Sequence, residues 1–274
     1  MRTHGTRFEC MRMRPHDHIG WVFTGPGGFA ALATPFLAEG AVRGEKLVYV
    51  TEEPSPAAAG LAEVVGWDAL EIVSIAEVYG ASGIVDAASQ RATFAQVLAE
   101  ALAAGFTGIR VAADNTPLVA DEARLKAWIE WEIVADRFMS EHPVTGLCAF
   151  NRDRVDVDQL RHLATLHPLS PATSPVPQFR LFADAGDLCV EGEIDSLAVG
   201  QLRLALAVLP PKTRVLVDLA VATLRGRKTL VSLRRLCDDG VTVTIRGGPA
   251  AIGALRTLGL AGSEYLVLCE LQPS

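Results

Sequence analysis

Through the first two-thirds of the chain, short apolar runs alternate with longer stretches whose apolar residues recur every three or four positions. The runs are HIGWVF from His18, KLVYVT from Lys46, LEIVSI from Leu70, GIRVAAD from Gly108 and GLCAF from Gly146. Nearly continuous apolar runs of this length predict strands buried on both faces. The stretches between them, residues 29–40, 56–65, 91–104 and 119–139, have helical spacing. This alternation predicts βαβ units and a mostly parallel sheet covered on both faces, in the α/β class. The segment HPLSPATSPVPQ then brings four prolines and only Leu169 and Val176 as large aliphatic residues. It reads as a semi-extended linker over residues 168–178. Beyond it come strands FRLFAD, DLCVEGE, RVLVDLA, VTVTIR and EYLVLCE, with helical patterns at 196–209, 226–238 and 249–258. The organisation expected is an N-terminal extension, residues 1–17, a domain over 18–167, the linker, and a smaller βαβ-rich domain over 179–274.

Composition narrows the classes. A chain of 274 residues, half of them hydrophobic, can bury one large core or two modest ones. No run approaches the roughly 18 apolar residues that span a bilayer, and the start MRTHGTRFECMRMRPHDH is charged where a signal peptide is apolar. A cytoplasmic protein with no membrane partner is expected. The five cysteines, Cys10, Cys148, Cys189, Cys237 and Cys269, are scattered, so neither a disulfide framework nor a structural zinc site is expected. The formal charge of −7 argues against direct nucleic-acid binding. Before Phe179 there are 14 basic and 22 acidic residues, and from Phe179 onward 11 and 10, so the two parts face different partners.

In the second part, Gly192, Glu193, Ile194 and Asp195 form a strand end that opens a helix, and a later strand ends in Asp218 and Leu219. With the order of elements, these features resemble the STAS domain of anti-sigma-factor antagonists over nearly all of the region after Phe179. That resemblance implies docking onto an anti-sigma factor or related kinase-like regulator through the next helix start, where the family carries D-S-S-G with a phosphorylated serine. Here Gly226, Arg227, Lys228 and Thr229 fall on those positions, so the phospho-serine switch is expected to be missing. Arg225, Arg227 and Lys228 give a cationic rim instead. It reads either as a surface for an acidic partner or as an ordinary solvated helix face. The partner-binding residues expected are Arg225, Gly226, Arg227, Lys228 and Thr229.

In the first part, HIGWVF, PFLAEGAVRGEKLVYVTEE, VYG, GIRVAAD, WEIVADRF, LCAFNRDRV and HLATLHP follow one another in an order that resembles the MEDS sensory family. The resemblance implies a RecA/Rossmann-like sheet. The loop Thr24-Gly25-Pro26-Gly27-Gly28 has the glycines of a phosphate-approaching turn but lacks the Lys and Ser or Thr of a P-loop, so nucleotide hydrolysis is not expected. A small ligand could still sit outside the carboxyl ends of the strands. Thr24, Gly25, Gly27, Glu52, Arg110 and Asp114 are the candidate contacts, with Thr51, Glu53 and Ala113 near them. Asp114 reads equally well as the cap of the following turn.

Remaining titratable residues assemble no catalytic set. Glu130 and Glu132, two apart on a helix, point to different faces. His16 and His18 share a face of extended chain and invite a weak metal site with Cys10, while His162 and His167 read as capping or packing groups. Cys148, on an apolar strand, reads as buried and inert. No catalytic residue, metal ligand or cofactor is therefore assigned, and the protein is not expected to be an enzyme. The leading expectation is a regulator whose first domain senses a small molecule or protein state and whose second domain binds a partner. An enzyme of the N-terminal crevice and a ligand-binding oligomeric scaffold are the alternatives, and the apolar content is compatible with a homodimer.

Overall fold

The computed structural model describes residues 2–52, 56–66, 69–173, 176–260 and 264–271. The chain divides into two compact units, Met1–Pro177 and Gln178–Ser274. Both are α/β. The first carries strands β1 (Gly5–Arg7), β2 (His18–Phe23), β3 (Lys46–Thr51), β4 (Leu70–Ser74), β5 (Ile109–Asp114), β6 (Val144–Asn151) and β7 (Leu169–Pro171). They form one sheet in the order β1-β7-β2-β6-β5-β3-β4, and every pairing is parallel. Helices α1 (Gly28–Arg43) and α2 (Pro56–Val65) supply Phe36, Leu37 and Leu61 to the core on one face. Helices α4 (Ala87–Ala103), α5 (Glu122–Glu141) and α6 (Val157–Ala164) supply Phe94, Trp128, Trp131, Phe138 and Leu163 to the other. Burial on both faces is why the strands read as unbroken apolar runs. A short α3 (Ile75–Tyr79) opens with a reciprocal capping box between Ser74 and Glu77.

Four boundaries depart from the sequence expectation. Residues 1–17 are not a detached extension: β1 lies at the sheet edge, and Cys10 and Met13 are buried in the core. The segment 168–178 is not wholly linker, because Leu169, Ser170 and Pro171 are buried as β7 between β1 and β2. Three-residue strands carry no readable period, and Pro171 lies beyond Leu169, the position at which β7 pairs with β2. Helix α4 begins at Ala87, capped by Asp86, and α5 begins only at Glu122, capped by Asp121 after a 3-10 turn over Thr116–Val119.

The second unit has strands β8 (Phe179–Asp184), β9 (Asp187–Ile194), β10 (Val215–Leu224), β11 (Val243–Gly247) and β12 (Leu266–Glu270) in the order β12-β11-β10-β9-β8. Only β8 and β9 run antiparallel, joined through Ala185 and Gly186, both at positive φ as a two-residue hairpin turn requires. Helices α7 (Ser196–Val208), α8 (Gly226–Asp238) and α9 (Pro249–Leu255) follow β9, β10 and β11. Strand β10 does not end at Leu219: its register shifts and it continues to Leu224.

Candidate functional site

Two places in the first unit gather polar groups. The first is the carboxyl end of the sheet. The loop after β2 holds Gly25 and Gly27 at positive φ, and the Gly25 N–H donates to Asp153 Oδ2 at 2.8 Å. Glu52 pairs with Arg154 at 2.8 Å. Asp114 accepts from the Thr116 N–H at 3.1 Å and the Thr116 hydroxyl at 2.5 Å, which is the turn-capping role. Burial raises the Asp114 pKa, and the Thr116 bonds oppose that shift. Thr24 is exposed on the same loop, and Glu53 lies outside the described residues. A carboxylate already occupies the Gly25 amide, so this end of the sheet is poorly disposed toward phosphate. Arg154 was not foreseen here.

Arg110 is not part of this rim. Its side chain is fully buried, donating to Glu45 Oε2 at 2.5 Å and to the Phe36 and Met13 carbonyls at 3.1 Å each. It lies over the Phe36 ring at 4.8 Å. It is a structural pin tying β5 to α1 and the N-terminal segment, because it sits at the second position of β5, four residues before Asp114 at the strand's carboxyl end.

The second place is wholly internal. His18 begins β2, Glu132 lies in α5, Cys148 in β6, and His167 between α6 and β7; all four are buried. Their donor atoms lie within 4.8 Å of one another. His18 Nε2 is 3.0 Å from Glu132 Oε1 and 3.4 Å from Cys148 Sγ, and His167 Nε2 is 2.6 Å from the same Glu132 oxygen. Outside them, His18 Nδ1 meets Asp136 Oδ1 at 3.0 Å, Asp136 pairs with Arg2 at 2.6 Å, and His167 Nδ1 meets the Leu163 carbonyl at 2.9 Å. Burial disfavours charge on His18, but the Asp136 and Glu132 carboxylates beside it outweigh that and raise its pKa. Burial likewise opposes ionisation of Glu132, yet the two imidazoles, His167 foremost, hold it below the ordinary carboxylate range. Burial, then the Glu132 charge, lifts the Cys148 thiol well above its usual value.

The sequence reading missed this cluster. It took His167 as a capping group, which its Nδ1 is, and paired His18 with His16 and Cys10. The structure separates those residues: His16 Nδ1 meets the Met139 carbonyl at 3.0 Å and Cys10 Sγ the Leu32 carbonyl at 3.7 Å. Glu130 and Glu132 do face different environments. The available signal lay in α5, where Glu132 and Asp136 follow Trp128 by one and two helical repeats on its apolar stripe, so both acids had to be buried.

A family model described as MEDS, the MEthanogen/methylotroph, DcmR Sensory domain, matches residues 17–168, more than half of the chain. The chain belongs to the MEDS family. All four cluster residues, and the rim from Thr24 to Arg154, lie within the matched MEDS stretch. A search of curated proteins finds no match.

Outside the MEDS stretch, the expected docking residues surround the start of α8. Arg225 is exposed and pairs with Glu193 at 2.5 Å, while Gly226 takes positive φ and Lys228 is exposed. The Arg227 side chain lies outside the described residues. Thr229 is 1 % exposed and its hydroxyl donates to the Arg225 carbonyl at 2.5 Å, so it faces inward and is not a surface contact. The hydroxyl back-bonds to the carbonyl four residues earlier, as helical Ser and Thr commonly do. Beside α8 runs an open groove of about 1030 Å³, lined in part by Leu230, Val231, Arg234, Arg235 and Leu258.

Proposed function

We propose that this chain is a non-catalytic signalling protein whose MEDS unit, a RecA/Rossmann-like sheet, senses a small molecule or a protein state and whose second unit relays it to a protein partner. The membership in a sensory family supports the first half. A cavity of about 280 Å³ beneath α4, walled by Val48, Val50, Val73, Phe94 and Val97, suits a small, largely apolar ligand. The observation that carries the second half is the groove along α8, where exposed Val231 and Leu258 adjoin Arg234 and Arg235. Exposed apolar side chains rimmed by charge mark interaction surfaces. The sheet order, with α7 opening directly after Gly192-Glu193-Ile194-Asp195, supports a STAS-like reading and a partner of the anti-sigma-factor or kinase-like class. Burial of Thr229 supports docking without a phosphoryl switch.

Affinity capture from the host lysate tests this, comparing wild type with Val231→Glu and with Lys228→Glu, bound proteins being read by mass spectrometry. Retention of an anti-sigma-like or kinase-like regulator by wild type and its loss from both variants is the expected result. Equal retention by all three would remove the groove from the account.

A further inference from the structure

We propose that His18, Glu132, Cys148 and His167 bind one divalent transition-metal ion of borderline softness, zinc or a close analogue. The inference stands apart from the signalling reading and neither needs the other. Imidazole, carboxylate and thiolate are the donor types such ions take, and four ligands complete a tetrahedral shell. Ordinary zinc bond lengths place neighbouring ligand atoms about 3.4 Å apart for nitrogen and oxygen and about 3.6 Å apart for nitrogen and sulfur. The 3.4 Å between His18 Nε2 and Cys148 Sγ and the 3.0 Å between His18 Nε2 and Glu132 Oε1 are close to those edges. Of these three edges the 2.6 Å from His167 to Glu132 must open, and the wider separations, up to 4.8 Å across the four donor atoms, must close.

The outer hydrogen bonds decide which atoms face inward. A carbonyl can only accept, so His167 Nδ1 carries the proton that reaches Leu163, and in the neutral ring Nε2 is a bare lone pair. That lone pair faces a carboxylate oxygen. Neither Glu132 oxygen accepts, and His167 Nε2 does not donate, a hydrogen bond of ordinary geometry, although all three atoms are buried. Lone pairs that converge without a proton aligned between them are what a common cation resolves. His18 is held the same way, its Nδ1 on Asp136 and its Nε2 turned inward. A carboxylate or carbonyl on the far nitrogen is the usual support of a metal-bound histidine. Charge closes as well: Glu132, Asp136 and a Cys148 thiolate balance Arg2 and a divalent ion, which a site with no access to water requires. Gly20 leaves the room, since a Cβ there would stand 2.7 Å from His167 Nδ1.

The full chain, purified without a metal-binding tag and stripped with chelator, is titrated with Co²⁺ alone. The expected result is one equivalent bound, with tetrahedral visible bands and a sulfur-to-cobalt charge-transfer band, displaced by Zn²⁺. Cys148→Ser should remove the charge-transfer band, and Asp136→Asn, which touches no metal, should weaken binding about 10- to 100-fold. Should Cys148→Ser fail to fold by circular dichroism, X-ray absorption of the wild-type cobalt protein decides alone, a first shell of one sulfur with nitrogen and oxygen supporting the site. No bound cobalt, a shell without sulfur, or a charge-transfer band that survives in folded Cys148→Ser overturns it, and the four residues are then an ion-pair cluster held by protons.

Discussion

Replacing Arg110 with Met isolates what the buried guanidinium does. The change keeps the aliphatic stem but removes the guanidinium that lies over Phe36, leaving Glu45, itself 3 % exposed, without its 2.5 Å partner and the Phe36 and Met13 carbonyls without their donors. Removing one member of a buried pair costs about 3–5 kcal/mol, a large part of the roughly 5–15 kcal/mol that hold a domain folded. With a urea slope of about 2 kcal/mol per molar for a unit of this size, the midpoint should fall by about 2 M. All four tryptophans lie before residue 132, so their fluorescence reports the first unit alone. The double change Arg110→Met with Glu45→Leu leaves no orphaned charge and should recover most of the loss. Gly40→Ala offers an independent route, because its Cβ would meet Arg110 Cδ at 2.6 Å. A midpoint shift below about 0.5 M for Arg110→Met, or a double variant no better than the single, would refute the pin.

Asp114→Asn should alter how the first unit responds to pH. The folded pKa of Asp114 is raised, so its contribution is full below the unfolded value of about 3.9 and is lost as pH rises through the folded value. The variant's urea midpoint relative to wild type should therefore climb between about pH 4 and pH 7, and a constant difference would refute this. Thr229→Val should destabilise the second unit by about 1 kcal/mol in thermal unfolding while leaving partner capture intact; lost capture with unchanged stability would return Thr229 to the docking surface. Of the cysteines outside the buried cluster, Cys269 is exposed whereas Cys10, Cys189 and Cys237 are buried, and burial pushes Cys10 up to about 11. Native protein should show fast alkylation at Cys269 and slow labelling at the other three, read by peptide mass spectrometry.

The long parallel strands were legible because residues such as Leu47, Tyr49, Val111 and Leu147 are apolar on both faces of the sheet. Strands β1 and β7 were not, because GTR and LSP owe their place to backbone pairing with a neighbour that no local pattern records. The rim at the sheet end was legible in part: Thr24, Gly25, Glu52 and Asp114 come to strand ends, whereas Arg110, four residues before Asp114, points into the core. The buried cluster was hidden by distance. His18, Glu132, Cys148 and His167 each have an ordinary local explanation, and only the sheet order β7-β2-β6, with α5 packed over it, joins them.

The claim that a sensing unit governs a relaying unit is tested most directly by the affinity of the captured partner for the full chain, measured by calorimetry. Wild type, Val231→Glu and two first-unit variants that fill the cavity beneath α4, Val50→Phe and Val97→Phe, would be compared. A relay predicts that the first-unit variants, folded by circular dichroism, change partner affinity by about fivefold or more in either direction, the lower end of ordinary allosteric coupling. Affinity untouched by both, with loss confined to Val231→Glu, would leave a docking surface that the MEDS unit does not control.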